Sequence, residues 1–93
     1  MNGIISKYNL AFKIENNIEV TYIELPKGST ILKAGNENNQ LYFYILTTDS
    51  KKMETLKIVA YRNNIKYDFA GSYIDSITLT YEFEDLIYHF FVE

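Results

Sequence analysis

Apolar and polar residues alternate with a period of two along most of this chain. From Ile4 the even positions run Ile4, Ser6, Tyr8, Leu10, Phe12 and Ile14, against Ile5, Lys7, Asn9, Ala11, Lys13 and Glu15. Successive side chains of a strand point to opposite faces, so the pattern predicts one long strand over 4–14 with one buried face. Asn16-Asn17 then turns the chain, because Asn tolerates left-handed backbone and bonds its own main chain. A second strand sets Ile18, Val20 and Tyr22 inward and Glu19 and Thr21 outward. After Tyr22 the apolar phase moves to Ile23 and Leu25. A slip of one residue exchanges the two faces, so a bulge or a strand switch is expected there.

Pro26-Lys27-Gly28-Ser29 is a fixed turn, since Pro presets φ and Gly accepts a positive one. A short strand over 30–35 and a turn at 36–39 follow. Residues 41–47 are apolar on both faces, the mark of a central strand or of a face covered by a partner. Asp49 to Lys52 forms a polar tip, and 53–62 returns as a strand. The longest irregular stretch is 63–71. Beyond it Tyr73, Asp75, Ile77, Leu79, Tyr81 and Phe83 alternate with more polar residues. The acidic 82–85 region turns into 86–92, again apolar on both faces. About seven strands joined by short turns predict an all-β antiparallel sandwich or flattened barrel. The one stretch able to compete as a helix is 47–57.

Composition agrees with strands. Ile (12), Tyr (9), Thr (7) and Phe (6) are abundant and Ala is scarce, which suits pleated, half-buried surfaces. Hydrophobic residues make up 47% and charged residues 23% of the 93, as in folded domains. A chain of this size supports one core, so 1–93 reads as a single domain. It has no cysteine, which removes disulfides, thiolate metal sites and a cysteine nucleophile. No run of apolar residues approaches the ~20 needed for a membrane-spanning helix, and Met1-Asn2-Gly3 lacks the order of a leader. Cytosol is the expected compartment, with no membrane partner.

Charge is unevenly placed. The net value is −3, yet residues 1–66 carry nine basic and six acidic groups, whereas 67–93 carry six acids and no base. Nonspecific nucleic-acid binding needs clustered cations and is not expected. The acidic end either discourages edge-to-edge aggregation or meets a basic groove on a partner.

Candidate chemistry is sparse. His89 is the only histidine, and no nucleophile and acid stand at a spacing that would complete a catalytic set with it. It reads as a structural or ligand-stacking residue. One histidine among scattered carboxylates does not indicate a metal site, and neither an enzyme nor a cofactor is expected. Lys27 and Gly28 offer a cation beside free backbone N–H groups, which suits an anion. Arg62, the only arginine, can fork onto a phosphate, with Tyr61 beside it as a stacking surface. Strands that are apolar on both faces, together with many tyrosines, point to a homo-oligomer.

The order of several segments is also familiar. Ser6-Lys7-Tyr8-Asn9-Leu10 precedes Ile23-Glu24-Leu25-Pro26-Lys27-Gly28-Ser29-Thr30-Ile31-Leu32, then Leu41-Tyr42-Phe43-Tyr44-Ile45-Leu46, Tyr73-Ile74-Asp75-Ser76 and Leu86-Ile87-Tyr88-His89-Phe90-Phe91. This series resembles a family of small phage- and prophage-encoded proteins, a domain of unknown function. That family shows a Trp-Lys-Tyr start, a Pro-Lys-Gly turn leading to Ile-Leu, a Leu-Trp strand, a Tyr-Ile-Gly-Thr segment and a Trp-His-Val-Phe end. Here Tyr42 and Tyr88 stand in place of tryptophan, and Asp75 in place of glycine. Ala60-Tyr61-Arg62 replaces a Gly-Thr-Gly turn.

The resemblance implies a phage setting and so the host cell cytoplasm. Small phage proteins without catalytic residues commonly act by binding. The leading expectation is a non-enzymatic anti-defence protein that sequesters a small phosphorylated nucleotide signal through Lys27, Gly28, Tyr61, Arg62 and His89. The alternative is an inhibitor that binds a host defence protein or nuclease through the acidic surface of 67–93.

Overall fold

A computed structural model describes residues 2–93. Met1 and the side chain of Tyr81 fall outside that description, and with them the expectation that Tyr81 continues its strand's alternation. Eight strands follow one another: β1 (Gly3–Asn9), β2 (Lys13–Glu15), β3 (Ile18–Pro26), β4 (Thr30–Glu37), β5 (Gln40–Thr48), β6 (Met53–Arg62), β7 (Ser72–Tyr81) and β8 (Glu84–Val92). They form a three-stranded sheet, β1-β5-β4, and a five-stranded sheet, β2-β3-β6-β8-β7, with every pairing antiparallel. Leu25, Ala34, Phe43, Ile45, Ile58, Ala60, Ile77 and Phe90 close the core between them. The fold is the all-β sandwich that the alternation predicts. Residues 47–57 form no helix: 49–52 is a loop between β5 and β6.

The expected long strand over 4–14 is in fact two. β1 pairs with β5 in one sheet and β2 with β3 in the other, and Leu10 to Phe12 crosses between them. Leu10 and Phe12 turn into the core, where the Phe12 ring lies 5.6 Å from Phe90 and 6.3 Å from Phe43. A strand that changes sheets keeps the same face inward, so its hydrophobic alternation continues across the break. Asn16 and Asn17 make the two-residue hairpin turn with φ of 53° and 64°, and Asn38 and Asn39 make another with 54° and 61°. Both match the positive-φ turn that suits the twist of paired strands.

The bulge expected after Tyr22 is absent. β3 pairs with β6 without a register shift from Glu19↔Ala60 to Pro26↔Met53. Ile23 and Leu25 join the inter-sheet core, so Glu19 and Thr21, in phase with them, face inward too. Ile18 and Val20 lie on the outer face, against Val59, Tyr61 and Tyr67. The apparent phase slip reflects two apolar faces, each covered along a different half of the strand. The bulges fall elsewhere, at Leu32 in β4 and Ile74 in β7.

The second bulge has a visible use. Beyond it, Asp75 turns toward β4, where its carboxylate accepts from the Ala34 N–H at 3.0 Å and from the Ser76 N–H at 2.8 Å. The Asn36 amide donates to the Thr78 carbonyl at 2.8 Å. These bonds tie the edges of β4 and β7 across the sandwich and occupy groups that would otherwise invite another strand.

β5 is central in its sheet, as its two apolar faces predict. Phe43 and Ile45 are fully buried, while Tyr42 and Tyr44 pack edge to face on the outer side at 5.4 Å. Tyr42 lies over Gly35, where any Cβ would collide with the ring. β8 is apolar on both faces for a different reason. Tyr88, Phe90 and Val92 face the core, and Phe91 faces an aromatic cover supplied by the irregular 63–71 segment.

Candidate functional site

The five candidate residues lie at two ends of the molecule. Lys27 and Gly28 occupy the turn between β3 and β4, next to the start of β6. Arg62 ends β6. The ten residues of that strand place the two groups about 30 Å apart.

At the turn, Gly28 takes φ of 88°, and Ser29 N–H donates to the Pro26 carbonyl at 3.1 Å. Its backbone donors are already engaged. Lys27 N–H donates to the Lys52 carbonyl at 2.7 Å, and Gly28 N–H donates to the Glu54 carboxylate at 3.2 Å. The chain's own carboxylate therefore sits where an anionic ligand would bind.

At the other end, β6 and β8 pair Tyr61 with His89 and Arg62 with Tyr88. Register alone sets three of the candidates at one end of the sheet, with Arg62 in phase with the inner face and Tyr61 and His89 with the outer one. Tyr61 is 2% exposed, its ring enclosed by Tyr67 at 4.8 Å, Phe69 at 4.7 Å and Phe91 at 5.3 Å. It supports the site from behind and offers no face for stacking. His89 is half-buried, with Nδ1 3.3 Å from the Tyr73 hydroxyl and Nε2 3.0 Å from Asn63 Oδ1. A neutral ring that donates from Nε2 and accepts at Nδ1 satisfies both contacts. Arg62 is exposed, with its guanidinium 5.7 Å from the centre of the Tyr88 ring.

Residues 63–71 complete this end. Asn63 N–H donates to the Ile87 carbonyl at 2.9 Å, and Asn64 turns the chain at φ of 63°. The Tyr67 hydroxyl accepts from the Arg62 N–H at 3.3 Å. Gly71, at φ of 88°, passes so close to the Val92 carbonyl that no Cβ fits. The segment is thus pinned at both ends over the outer face, and it carries Lys66 toward Arg62.

β3 and β6 stop pairing at Glu19 and Ala60. Beyond that rung lies an open groove of about 560 Å³, lined on one side by Asn16, Asn17 and Ile18 and on the other by Arg62, Ile65, Lys66, Tyr67 and Asp68. None of the ion pairs among the described residues involves Arg62 or Lys66. Their charges meet those of Glu19 and Asp68 in the same groove, so placement decides what binds there. A second space of about 250 Å³ opens between the sheets, with walls of Leu10, Phe12, Leu41, Ile77, Leu79, Tyr88 and Phe90. Glu19 and Ala60 line both spaces, which adjoin along this rung.

Lys66, Asn16, Asn17 and Glu19 are absent from the sequence-based candidates. The asparagines read only as turn formers, and Lys66 as part of a loop. The phase of Ile18, Val20 and Tyr22 sets Glu19 toward solvent. The available signal was the Ile23–Leu25 phase, which sets Glu19 inward. Among the described residues, no group of three or more His, Cys, Asp or Glu is placed to hold a metal ion, and no helix is long and apolar enough to cross a membrane. No protein-family model matches the chain, and neither does any curated protein or solved structure.

Proposed function

We propose that this is a non-enzymatic phage anti-defence protein that binds and sequesters a small phosphorylated nucleotide signal in the host cytoplasm. One observation carries the proposal. Arg62 and Lys66, outside every ion pair among the described residues, line an open groove of about 560 Å³ beside Tyr67, Ile18 and Ile65. That volume falls within the range of small-ligand sites, roughly 300–1,000 Å³. Cations for phosphate, amides for polar edges and apolar side chains for a base are the parts such a ligand needs. Of the five sequence candidates, Arg62 contacts ligand in this proposal, Tyr61 backs the groove wall through Tyr67, and His89, whose partners are Tyr73 and Asn63, lies outside the groove lining. Lys27 and Gly28, about 30 Å away, take no part. The phage setting rests on the resemblance of the sequence segments.

Thermal unfolding against a panel of linear and cyclic nucleotides tests this. A ligand at a hundredfold excess over Kd that binds only the folded state adds about 2.7 kcal/mol, enough to raise the midpoint by roughly 10 °C in a domain of this size. A selective rise, lost in Arg62→Ala, is the expected result. A flat panel overturns the proposal.

A second reading, an inhibitor that binds a host defence protein through its acidic surface, has its own observation. The β7–β8 hairpin tip projects Phe83, fully exposed, between Glu82 and Glu84. An aromatic anchor between carboxylates suits an apolar socket rimmed by cations. Other acids of the segment are less available, since Asp75 bonds backbone within the fold and Glu93 pairs with Lys57 at 2.8 Å. Capture of a host protein that fails with Phe83→Ala and weakens steeply with salt would favour this reading.

Self-association belongs to the same proposal. β4 and β7 are tied to each other, and β2 has three residues, whereas β1 presents a seven-residue edge with Ile4 and Ile5 exposed. A second copy adding along β1 would lengthen the three-stranded sheet. Light scattering on the wild type and on Ser6→Pro separates a dimer from a monomer.

A further inference from the structure

Glu19 is partly buried on the inner face of β3, where the open groove meets the space between the sheets. It shares the Glu19↔Ala60 rung with one of the smallest core side chains. Among the described residues it is the only charged side chain lining the space between the sheets, whose walls include Phe12, Tyr88 and Phe90. No ion pair among the described residues engages it. An ionised carboxylate at an apolar wall is stabilised by whatever donors reach it, and two parallel N–H groups suit it best.

We infer that Glu19 selects guanine within the nucleotide class. This rests on the proposal that the Arg62–Lys66 groove holds a phosphorylated nucleotide. The flat aromatic base enters the space between the sheets, against Phe12 and Tyr88, and the phosphates remain in the groove on Arg62 and Lys66. The carboxylate then accepts from N1–H and the 2-amino group of guanine together. Adenine offers a lone pair at N1 where guanine has a proton, so it meets the same carboxylate with repulsion. Hypoxanthine keeps N1–H but lacks the 2-amino group, and it forms one of the two bonds. The polarity follows from charge: the groove sets Arg62 and Lys66 against Glu19 and Asp68, whereas Glu19 meets no cation among the residues lining the space between the sheets, so the phosphates stay in the groove.

Calorimetric titration of the intact protein with GMP, IMP, AMP and inorganic phosphate tests this, on the wild type and on Glu19→Gln. The wild type should prefer GMP over AMP by about ten- to a hundredfold, the worth of hydrogen bonds to a charged group, with IMP between. Glu19→Gln should bring GMP and AMP to within about threefold of each other while leaving the phosphate-dependent part of binding. The GMP–IMP–AMP ranking needs no variant, so it stands even if Glu19→Gln folds poorly. Nucleotide binding without base preference, still lost in Arg62→Ala, overturns the guanine inference and leaves the proposed function standing. Preference for AMP also overturns it. No binding by any nucleotide removes the proposed function and the inference with it.

Discussion

The two ends of the sandwich carry similar sequence features and use them in opposite ways. Each has a cation next to a turn with positive-φ backbone. At the Pro26 end the turn is finished by the chain itself. Glu54 accepts from the Gly28 N–H, Ser29 Oγ donates to the Pro26 carbonyl at 2.6 Å, and Thr48 Oγ1 donates to the Lys27 carbonyl at 2.8 Å. At the Arg62 end β3 and β6 part after Glu19 and Ala60, and the charges that gather there stay outside the ion pairs of the described residues. A cation and free N–H groups make an anion site only where no internal carboxylate arrives first. Which carboxylate arrives is set by register, here the Pro26↔Met53 pairing that brings Glu54 under Gly28.

The sharpest way to separate the ends is by binding. Arg62→Ala combined with Lys66→Ala should weaken nucleotide binding by about a hundredfold or more, because each removes a charge-assisted contact of about 1.5–3 kcal/mol. Lys27→Ala should change it by less than about twofold, the worth of a distant screened charge. Equal losses from both ends, measured by calorimetry, would erase the distinction.

Added bulk should separate them through stability. Gly28→Ala forces a side chain into left-handed backbone and should cost about 1–2 kcal/mol. Ala60→Val, at a buried core position, instead extends into the space of about 250 Å³ beside it, so it should cost less than about 1 kcal/mol, the low end of what overpacking a closed core costs. It should nevertheless weaken nucleotide binding, because it narrows the rung that the groove shares with that space. Urea titration gives the first pair of values and calorimetry the last. A large stability loss from Ala60→Val would mean that the space is closed to a methyl and so to a base.

These contrasts mark how far the sequence could be read. The all-β class, both Asn-Asn hairpins, the Pro26 turn and the central position of β5 follow from local chemistry. Period-two alternation and positive-φ residues act within a few residues of themselves. The break at Leu10–Phe12 escaped because a strand crossing between sheets keeps its inward face. Glu19 escaped because β3 has two apolar faces, and a cover supplied by Tyr67 some fifty residues downstream cannot be inferred from β3 alone. The candidate site was half legible. Arg62, Tyr61 and His89 share one end of the sheet because β6 and β8 pair, and Lys66 reaches the groove beside Arg62 only through the course of the 63–71 segment.

The smallest effect lies near the open end, on the outer face of the three-stranded sheet. Lys7 Nζ donates to Glu37 at 2.6 Å and rests 4.5 Å from the centre of the Tyr42 ring. The hydrogen bond from Lys7 holds the Glu37 carboxyl below the usual carboxylate range. The same bond, outweighing partial desolvation, pushes the Lys7 ammonium above the usual lysine range. For Glu37 the contribution is present above its unfolded pKa and is lost as pH falls through the lower folded value. For Lys7 it is present below its unfolded pKa and is lost as pH rises through the higher folded value. The wild type should therefore exceed Glu37→Gln in thermal midpoint across the neutral range, by a margin that added salt reduces. The two curves should converge in acid below the carboxylate range, and again in strong alkali. An advantage that persisted in acid would assign the stabilisation to the wild-type side chain's packing and hydrogen bonding, because Lys7 keeps its charge and its contact with Tyr42 after Glu37 is neutralised.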